Sequence, residues 1–140
     1  MTNEPLALDE AALLAMPPQD YMNAQQLAFF RQRLEAQRNE LIKNLASTGE
    51  HLRESEEMAD PADRATQEEE HTIELRTRDR ERKLLHKVES ALNRIERKEY
   101  GYCKETGEPI GLRRLLARPT AGLTIEAQER HELRERQLGN

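Results

Sequence analysis

Two long segments of the chain place apolar residues at helical spacing. In the first segment the apolar positions recur at intervals of three, four and seven residues, and in the second they become denser toward its C-terminal half. A repeat of this kind is typical of helices that coil around one another. The apolar positions are Leu27, Phe30, Leu34, Leu41, Leu45 and Leu52 in the first segment, and Ala65, Ile73, Leu84, Val88, Leu92 and Ile95 in the second.

Polar and proline residues mark where these two helices begin. Asn23 stands three residues before a glutamine, which is the spacing of a capping box, and Asp60 precedes Pro61, which suits the first position of a helix. Gly49 is expected to weaken the end of the first helix, and residues 54–61 break its pattern. Two helices of matching length with a short acidic connection predict an antiparallel coiled-coil hairpin. The alternative, a bundle of unrelated helices, is less favoured because no third long helix exists to complete it.

Shorter patterns flank the hairpin. Residues 6–16 are an apolar run with Asp9 as its expected N-cap, and the two prolines that follow stop this helix. Residues 103–123 contain several glycines and prolines and predict turns and short strands. A charged final helix is expected from Thr124, its N-cap, to Leu138. A small core is expected from Ile110, Leu112, Leu115, Leu116, Leu123, Ile125 and Leu133.

These elements predict a mostly α-helical fold class, in which a long antiparallel coiled-coil hairpin carries a small globular domain. The globular domain needs the N-terminal and C-terminal helices as well as the turn region, because its own apolar residues form only a marginal core. The expected organisation is residues 1–22 as an N-terminal helix packing on the globular domain, residues 23–99 as the hairpin with an acidic tip near 54–65, and residues 100–140 as the globular domain.

Composition excludes several classes of protein. Hydrophobic residues make up 36% and charged residues 35% of the 140-residue chain, so apolar side chains are confined to one stripe of each helix. No stretch approaches the ~18 apolar residues of a transmembrane helix, and the acidic N-terminus lacks the basic region of a secretory signal. A cytoplasmic protein without membrane contact is therefore expected. The single cysteine excludes a disulfide framework and a metal site built of cysteines alone.

Charge is distributed unevenly along the chain. Residues 50–74 carry ten acidic and two basic residues, whereas residues 76–118 carry thirteen basic and seven acidic ones. The acidic zone argues against simple binding to duplex DNA, because phosphates would repel it. The cluster of Arg113, Arg114 and Arg118 suits phosphates, a nucleotide or an acidic protein surface equally well.

The turn around Cys103 resembles a zinc ribbon that lacks most of its ligands. Thr106 stands where the second cysteine of a zinc knuckle would be, and Thr124 and Ala127 stand where a second pair would be. A structural zinc ion needs four cysteine or histidine donors, so the sequence predicts no metal site and a fold held by packing and hydrogen bonds. The motifs of serine hydrolases, phosphate-binding loops and zinc peptidases are also lacking, and no enzyme activity is expected.

The acidic connection of the hairpin carries a pair of carboxylates. Asp60 and Asp63 stand three residues apart, a spacing that places both on one helix face. Carboxylates at the end of a long hairpin could approach a metal ion or basic groups inside a partner's cavity. Capping of the helix N-terminus is the more general explanation and is favoured from the spacing alone.

Several longer motifs resemble the DksA/TraR family of bacterial RNA polymerase regulators. The resemblance covers about residues 20–138 and implies a coiled coil that enters the polymerase secondary channel. It implies repression of ribosomal RNA promoters and help in activating amino-acid biosynthesis promoters. Asp60, Asp63 and Ala65 match the family's tip residues, which would lie near the catalytic magnesium without doing chemistry. The motifs are YMNAQQLAFFRQRLEAQRNEL, DPADRATQEEE, ELRTRDRERKLLHKVESAL, YGYC and PIGLRRLLARPTAGL.

The same resemblance implies a nucleotide co-regulator. Members of the family act with ppGpp, which binds between the regulator and the polymerase, and their contacts match Leu84, Lys87 and Arg118. A further basic position of the family is Gln128 in this chain, which departs from the pattern.

At the zinc positions the chain is similar to the zinc-independent members of the family. The family's usual four cysteines become Cys103, Thr106, Thr124 and Ala127. The resemblance therefore implies a zinc-free regulator, and we expect a monomer without sequence-specific DNA binding. Two other classes stay open. A transcript-cleavage factor would use the tip carboxylates to hold a second magnesium ion, and a coiled-coil adaptor would bind its partner through a helix face.

Overall fold

A computed structural model describes residues 8–57 and 64–139 of the chain, and these residues are mostly α-helical. The predicted fold class is confirmed. Within the described residues no strand forms, and the expected short strands reduce to one isolated bridge between Tyr102 and Pro109. The helices are α1 Glu10–Ala15, α2 Ala24–Glu57, α3 Arg64–Glu96, α4 Leu112–Ala117 and α5 Ile125–Leu138, with a 3-10 turn at Pro18–Asp20.

The helices α2 and α3 pack as an antiparallel hairpin, and the chain divides into two compact units. The hairpin unit comprises Glu35–Glu89, and the globular unit comprises Met1–Leu34 together with Ser90–Asn140. Helix α2 therefore begins in the globular unit and α3 ends in it, and the remainder of each helix belongs to the hairpin unit.

In the hairpin unit, polar contacts between α2 and α3 accompany a sparse apolar core. Leu41 and Val88 are buried, but the Arg78 guanidinium donates a hydrogen bond to the Leu45 carbonyl, and His51 lies 3.6 Å from a Glu74 oxygen. These contacts pair positions near the distal part of α2 with positions earlier in α3, as an antiparallel arrangement requires.

Gly49 does not end α2, which continues to Glu57. A Cβ atom at Gly49 would lie 3.2 Å from an Arg78 guanidinium nitrogen. The glycine thus leaves room for the arginine that binds the Leu45 carbonyl. The helix continues past Gly49 although glycine has a low helix propensity.

The capping residues near the N-terminus largely follow the sequence predictions. The Asp9 carboxylate accepts a hydrogen bond from the Ala12 N–H at 2.7 Å, so Asp9 is the N-cap of α1. The Asn23 side chain accepts from the Gln26 N–H at 2.9 Å, as expected. The Gln26 side chain, however, accepts from the N–H of Met22 instead of that of Asn23, which shifts the reciprocal half of the capping box by one residue.

The core of the globular unit joins segments from both ends of the chain. Leu13 of α1, Phe30 and Leu34 of α2, Tyr100 and Leu115 are fully or almost fully buried. Helix α1 packs against α4, and the Phe30 and Tyr100 rings lie 5.6 Å apart. The N-terminal segment is therefore part of this core.

Two sequence predictions for the C-terminal region are wrong. Helix α4 forms where turns and strands were expected, because Leu112–Ala117 is a run of good helix formers bounded by Gly111 and Pro119. Ile125 and Leu133 are not core residues, since 53% and 51% of their surfaces are exposed. The core predictions for Ile110 and Leu115 are confirmed.

Among the described residues, none of the helices has the length and apolar character needed to cross a membrane.

Candidate functional site

The turn region after α3 is built by backbone hydrogen bonds. The Cys103 N–H donates to the Glu108 carbonyl at 2.8 Å, and the Gly107 N–H donates back to the Cys103 carbonyl at 2.9 Å. The Ile110 N–H closes the loop on the Gly101 carbonyl at 2.8 Å. Gly101 and Gly107 both have positive φ, which glycine adopts without strain. The loop therefore turns sharply about Cys103.

This loop and the start of α5 bring the predicted zinc positions together. The Thr124 hydroxyl lies 3.9 Å from the Cys103 sulfur, to which it donates, and it accepts a hydrogen bond from the Ala127 N–H at 3.2 Å. Thr124 is thus the N-cap of α5, as predicted from the sequence. The Thr106 hydroxyl oxygen accepts a hydrogen bond from the Glu108 N–H at 3.3 Å within the same loop.

The hydrogen bonds at Cys103 change the acidity of its thiol. Burial raises the pKa of Cys103, but the Thr106 side chain lowers it, and backbone N–H groups, among them that of Thr124, lower it further. The donors outweigh the burial, and the pKa of Cys103 falls to about 6. Hydrogen bonds to the charged form favour that form, so the donors around Cys103 favour its thiolate.

The residues at these positions do not fit a zinc ion. One sulfur, two neutral hydroxyls and the methyl group of Ala127 occupy the four places, whereas a structural zinc site takes four thiolate or imidazole donors. In residues 8–57 and 64–139, no group of three or more histidine, cysteine or acidic side chains could hold a metal ion. The Thr124 hydroxyl instead links the cysteine to α5 by hydrogen bonds.

A tyrosine that the sequence did not single out anchors the N-terminal segment to the turn region. The Tyr21 hydroxyl donates to the Gly101 carbonyl at 2.6 Å and accepts from the Gly111 N–H at 2.9 Å. Burial raises the pKa of Tyr21 and keeps this hydroxyl protonated as a donor. Met22, at φ 57°, lies over Gly101, where a Cβ atom would collide with the methionine sulfur.

A second tyrosine holds the segment between α4 and α5. The Tyr100 hydroxyl donates to the Pro119 carbonyl at 2.7 Å, and burial raises the pKa of Tyr100. The buried Arg94 guanidinium donates to the neighbouring Thr120 carbonyl at 3.3 Å. The loop that follows Arg118 is therefore held by hydrogen bonds to two of its backbone carbonyls.

The predicted tip residues fall at the edge of the described chain. Ala65 lies in the first turn of α3 and is exposed. Asp60 and Asp63 lie outside the described residues.

The predicted nucleotide residues are divided between the two units. Leu84 and Lys87 lie three residues apart on α3 in the hairpin unit, Leu84 half-buried and Lys87 exposed. Arg118 lies in the globular unit as the C-cap of α4, with an exposed side chain. Gln128, also in the globular unit, donates its side-chain N–H to a Glu132 oxygen at 3.1 Å.

Two known sequence families match successive parts of the chain. Residues 26–95 match the family described as DnaK suppressor protein DksA, N-terminal domain, and residues 98–133 match the prokaryotic dksA/traR C4-type zinc finger. The chain is 56% identical over 117 residues to the RNA polymerase-binding transcription factor DksA of Caulobacter vibrioides, covering 83% of this chain and 82% of that protein.

The chain belongs to the DksA family.

Other DksA proteins show the same relationship. Identity to the RNA polymerase-binding transcription factor DksA of Escherichia coli strain K12 is 50% over 123 residues, 87% of this chain and 82% of that protein. The solved structure of transcription factor DksA2 from Pseudomonas aeruginosa superposes with a TM-score of 0.83 at 52% identity and covers 91% of this chain and 99% of that one. These DksA relatives carry the names of transcription factors, not enzymes.

In its zinc-finger region this member of the DksA family holds one cysteine, where a C4-type finger has four. The C4-type finger match spans residues 98–133 although the chain holds a single cysteine. The loop about Cys103 and the cap at Thr124 are nevertheless formed. The described loop therefore takes this turn with one cysteine among the four ligand positions.

Proposed function

We propose that this protein is an RNA polymerase-binding transcription regulator that acts through the polymerase secondary channel together with ppGpp. The observation that carries the proposal is the identity of 50–56% to DksA proteins named for polymerase binding, over more than four-fifths of the chain. The long hairpin of α2 and α3 supports it, because a 34-residue helix reaches about 50 Å at 1.5 Å per residue. In this role the protein is a cytoplasmic monomer.

The tip acts by charge in this proposal. Asp60 and Asp63 would act near the catalytic magnesium ion without taking part in chemistry, and Ala65 would follow them on α3. Repression of ribosomal RNA promoters and activation of amino-acid biosynthesis promoters both result from this action. Affinity for the polymerase comes from the remainder of the chain.

The deciding experiment separates binding from regulation. The protein is mixed with core RNA polymerase, and binding is measured beside transcription from a ribosomal RNA promoter. We expect Asp63→Asn to keep binding within about twofold and to lose most of the repression, because the change removes the charge and keeps the size of the side chain. Asp79→Asn is the matched control, because Asp79 is an exposed carboxylate of α3 whose ion pair, within the described part of the chain, is with Lys83.

Three outcomes would contradict the proposal. An absence of polymerase binding would remove the function itself. Normal repression by Asp63→Asn would remove the charge mechanism at the tip. Equal losses in Asp63→Asn and Asp79→Asn would show that the negative charge of α3 matters, not the tip.

The residues proposed to contact ppGpp at the polymerase interface are Leu84, Lys87 and Arg118. Cationic side chains form charge-assisted hydrogen bonds with phosphate oxygens, and both Lys87 and Arg118 are exposed. Lys87→Ala and Arg118→Ala are expected to reduce the response to ppGpp more than the inhibition seen without it. Gln128 is engaged with Glu132 and adds no charge, so the ppGpp response is expected to be smaller than with a basic residue there.

We further propose that the protein works without zinc. The hydrogen bond from the Thr124 hydroxyl to Cys103 and the backbone hydrogen bonds of the loop take the place of metal bonds in this proposal. Such a protein would sustain transcription control when zinc is scarce, a condition that unfolds domains whose folding is tied to metal.

A further inference from the structure

An open apolar groove lies beside α1 and α4 in the globular unit. It encloses about 580 Å³, and its lining is largely apolar. Leu14 on α1 and Ile125 at the start of α5 line it, with 39% and 53% of their surfaces exposed. Apolar side chains left in water at a concave surface mark a site where a partner can bury them.

The polar groups in this groove are already engaged inside the molecule. The Tyr21 hydroxyl donates to the Gly101 carbonyl and accepts from the Gly111 N–H. The Gln26 side chain accepts from the Met22 N–H and donates to the Met16 sulfur. Both side chains therefore have hydrogen-bond partners inside the molecule, and a ligand meets a mainly apolar surface. A nucleotide base, whose edges need hydrogen-bond partners, finds few of them in this groove.

All charge in the lining is positive. Arg113 is exposed, and Arg114 is half-buried and donates its Nε–H to the Leu123 carbonyl at 2.9 Å. Among the described residues no acidic side chain lines the groove, and neither arginine forms an ion pair with any of them. The groove thus combines aliphatic walls with two guanidinium groups that lack a counter-charge within the described chain.

We propose that this groove binds a segment of a partner protein in which apolar side chains stand next to carboxylates. The apolar side chains would cover Leu14 and Ile125, and the carboxylates would pair with Arg113 and Arg114. Guanidinium groups bind carboxylates through paired, charge-assisted hydrogen bonds. The inference does not depend on RNA polymerase binding, because it rests on the lining of the groove alone.

The test uses the full chain labelled with nitrogen-15 and two synthetic probes. The first probe is a peptide of leucine and glutamate, and the second has lysine in place of every glutamate. We expect the first peptide to shift the amide resonances of Leu14, Ile110 and Ile125 in a saturable manner. The lysine peptide is expected to leave them unchanged, because its charge repels the arginines.

Variants of the groove sharpen the test. Arg113→Glu is expected to weaken the binding of the leucine–glutamate peptide by about tenfold or more, the effect of losing one charge-assisted contact. Ile125→Gln removes apolar surface and is expected to weaken it as well. Leu133→Gln is the matched control, since Leu133 lies on the same helix with a similar exposure but does not line the groove.

Four results would overturn the inference. These are equal binding of both peptides, shifts scattered over the molecule, unchanged affinity in Arg113→Glu, and an equal loss in Leu133→Gln. Displacement of the peptide by ppGpp, with ppGpp shifting the same resonances, would assign the groove to a nucleotide instead.

Discussion

The Thr124 hydroxyl has two roles at one atom. It caps α5 by accepting from the Ala127 N–H, and it donates to the Cys103 sulfur. Thr124 and Ala127 are both buried, so the N–H group would find no water if the hydroxyl were removed. A single oxygen therefore joins the start of α5 to the turn region.

Thr124→Ala is expected to lower the free energy of unfolding by about 1–3 kcal/mol, from the lost cap and the unpaired buried N–H. Denaturant unfolding measures this change. Thr72→Ala serves as the control, because the exposed Thr72 hydroxyl only bonds back to the Glu68 carbonyl within α3 and its loss changes little. Similar losses in both variants would contradict the role of Thr124.

The lowered pKa of Cys103 makes the stability depend on pH. The ordinary pKa of a cysteine is 9.0 and that of Cys103 in the folded chain is about 6, so the folded chain releases the proton at lower pH than the unfolded chain. The stabilisation is complete above pH 9 and is lost as the pH falls through about 6.

We expect the native chain to gain stability relative to Cys103→Ser as the pH rises from about 6 to 9, since serine does not ionise in this range. Thermal unfolding at a series of pH values compares the two proteins. Ultraviolet absorbance of the thiolate follows the ionisation directly. Parallel stability curves for the two chains would show that the thiolate has no part in the fold.

At the scale of elements, local signals predicted the helices and missed what joins them. Asp9 and Thr124 are recognisable as caps because a cap acts on residues two or three positions away. Helix α4 was missed because six residues give too short a pattern to distinguish it from a turn. Tyr21 was missed because its partners lie 80 and 90 residues away, and nothing in the neighbouring sequence indicates them.

The features of the candidate site likewise divide into those that the sequence predicted and those that it did not. The zinc positions at Cys103 and Thr124 could be predicted to lie together, because their order matches a known family. The hydrogen bonds that link them depend on the loop geometry and not on sequence spacing. Ile125 and Leu133 were wrongly placed in the core because apolar character does not reveal which side of a charged helix faces inward.

The anchoring of the N-terminal segment can be tested at Tyr21. Tyr21→Phe leaves the Gly111 N–H without its acceptor and is expected to lower the free energy of unfolding by about 1–3 kcal/mol. Tyr102→Phe is the matched control, because the partly exposed Tyr102 ring contacts that of Tyr21, but its hydroxyl bonds to no described residue. An equal effect of both changes would contradict the anchoring role of the Tyr21 hydroxyl.

At the scale of the whole molecule, the zinc-free proposal predicts that a chelator does not change the stability of the protein. The purified protein is expected to hold far less than about one zinc ion per chain and to keep its melting temperature in chelator, because Thr106, Thr124 and Ala127 supply no thiolate. Elemental analysis and thermal unfolding make the two measurements. About one zinc ion per chain together with unfolding on chelation would contradict this prediction.

The Tyr21 hydrogen bonds also set an order in which the protein can fold during its synthesis. The globular unit takes its first part from residues before position 35 and its second part from position 90 onward. While a ribosome is still making the hairpin, the Phe30 ring lacks the Tyr100 ring that packs against it, and Tyr21 has neither of its backbone partners. Assembly of this unit therefore waits until the chain has been synthesised past Gly111, and a nascent chain stalled before that point exposes apolar surface to chaperones and proteases.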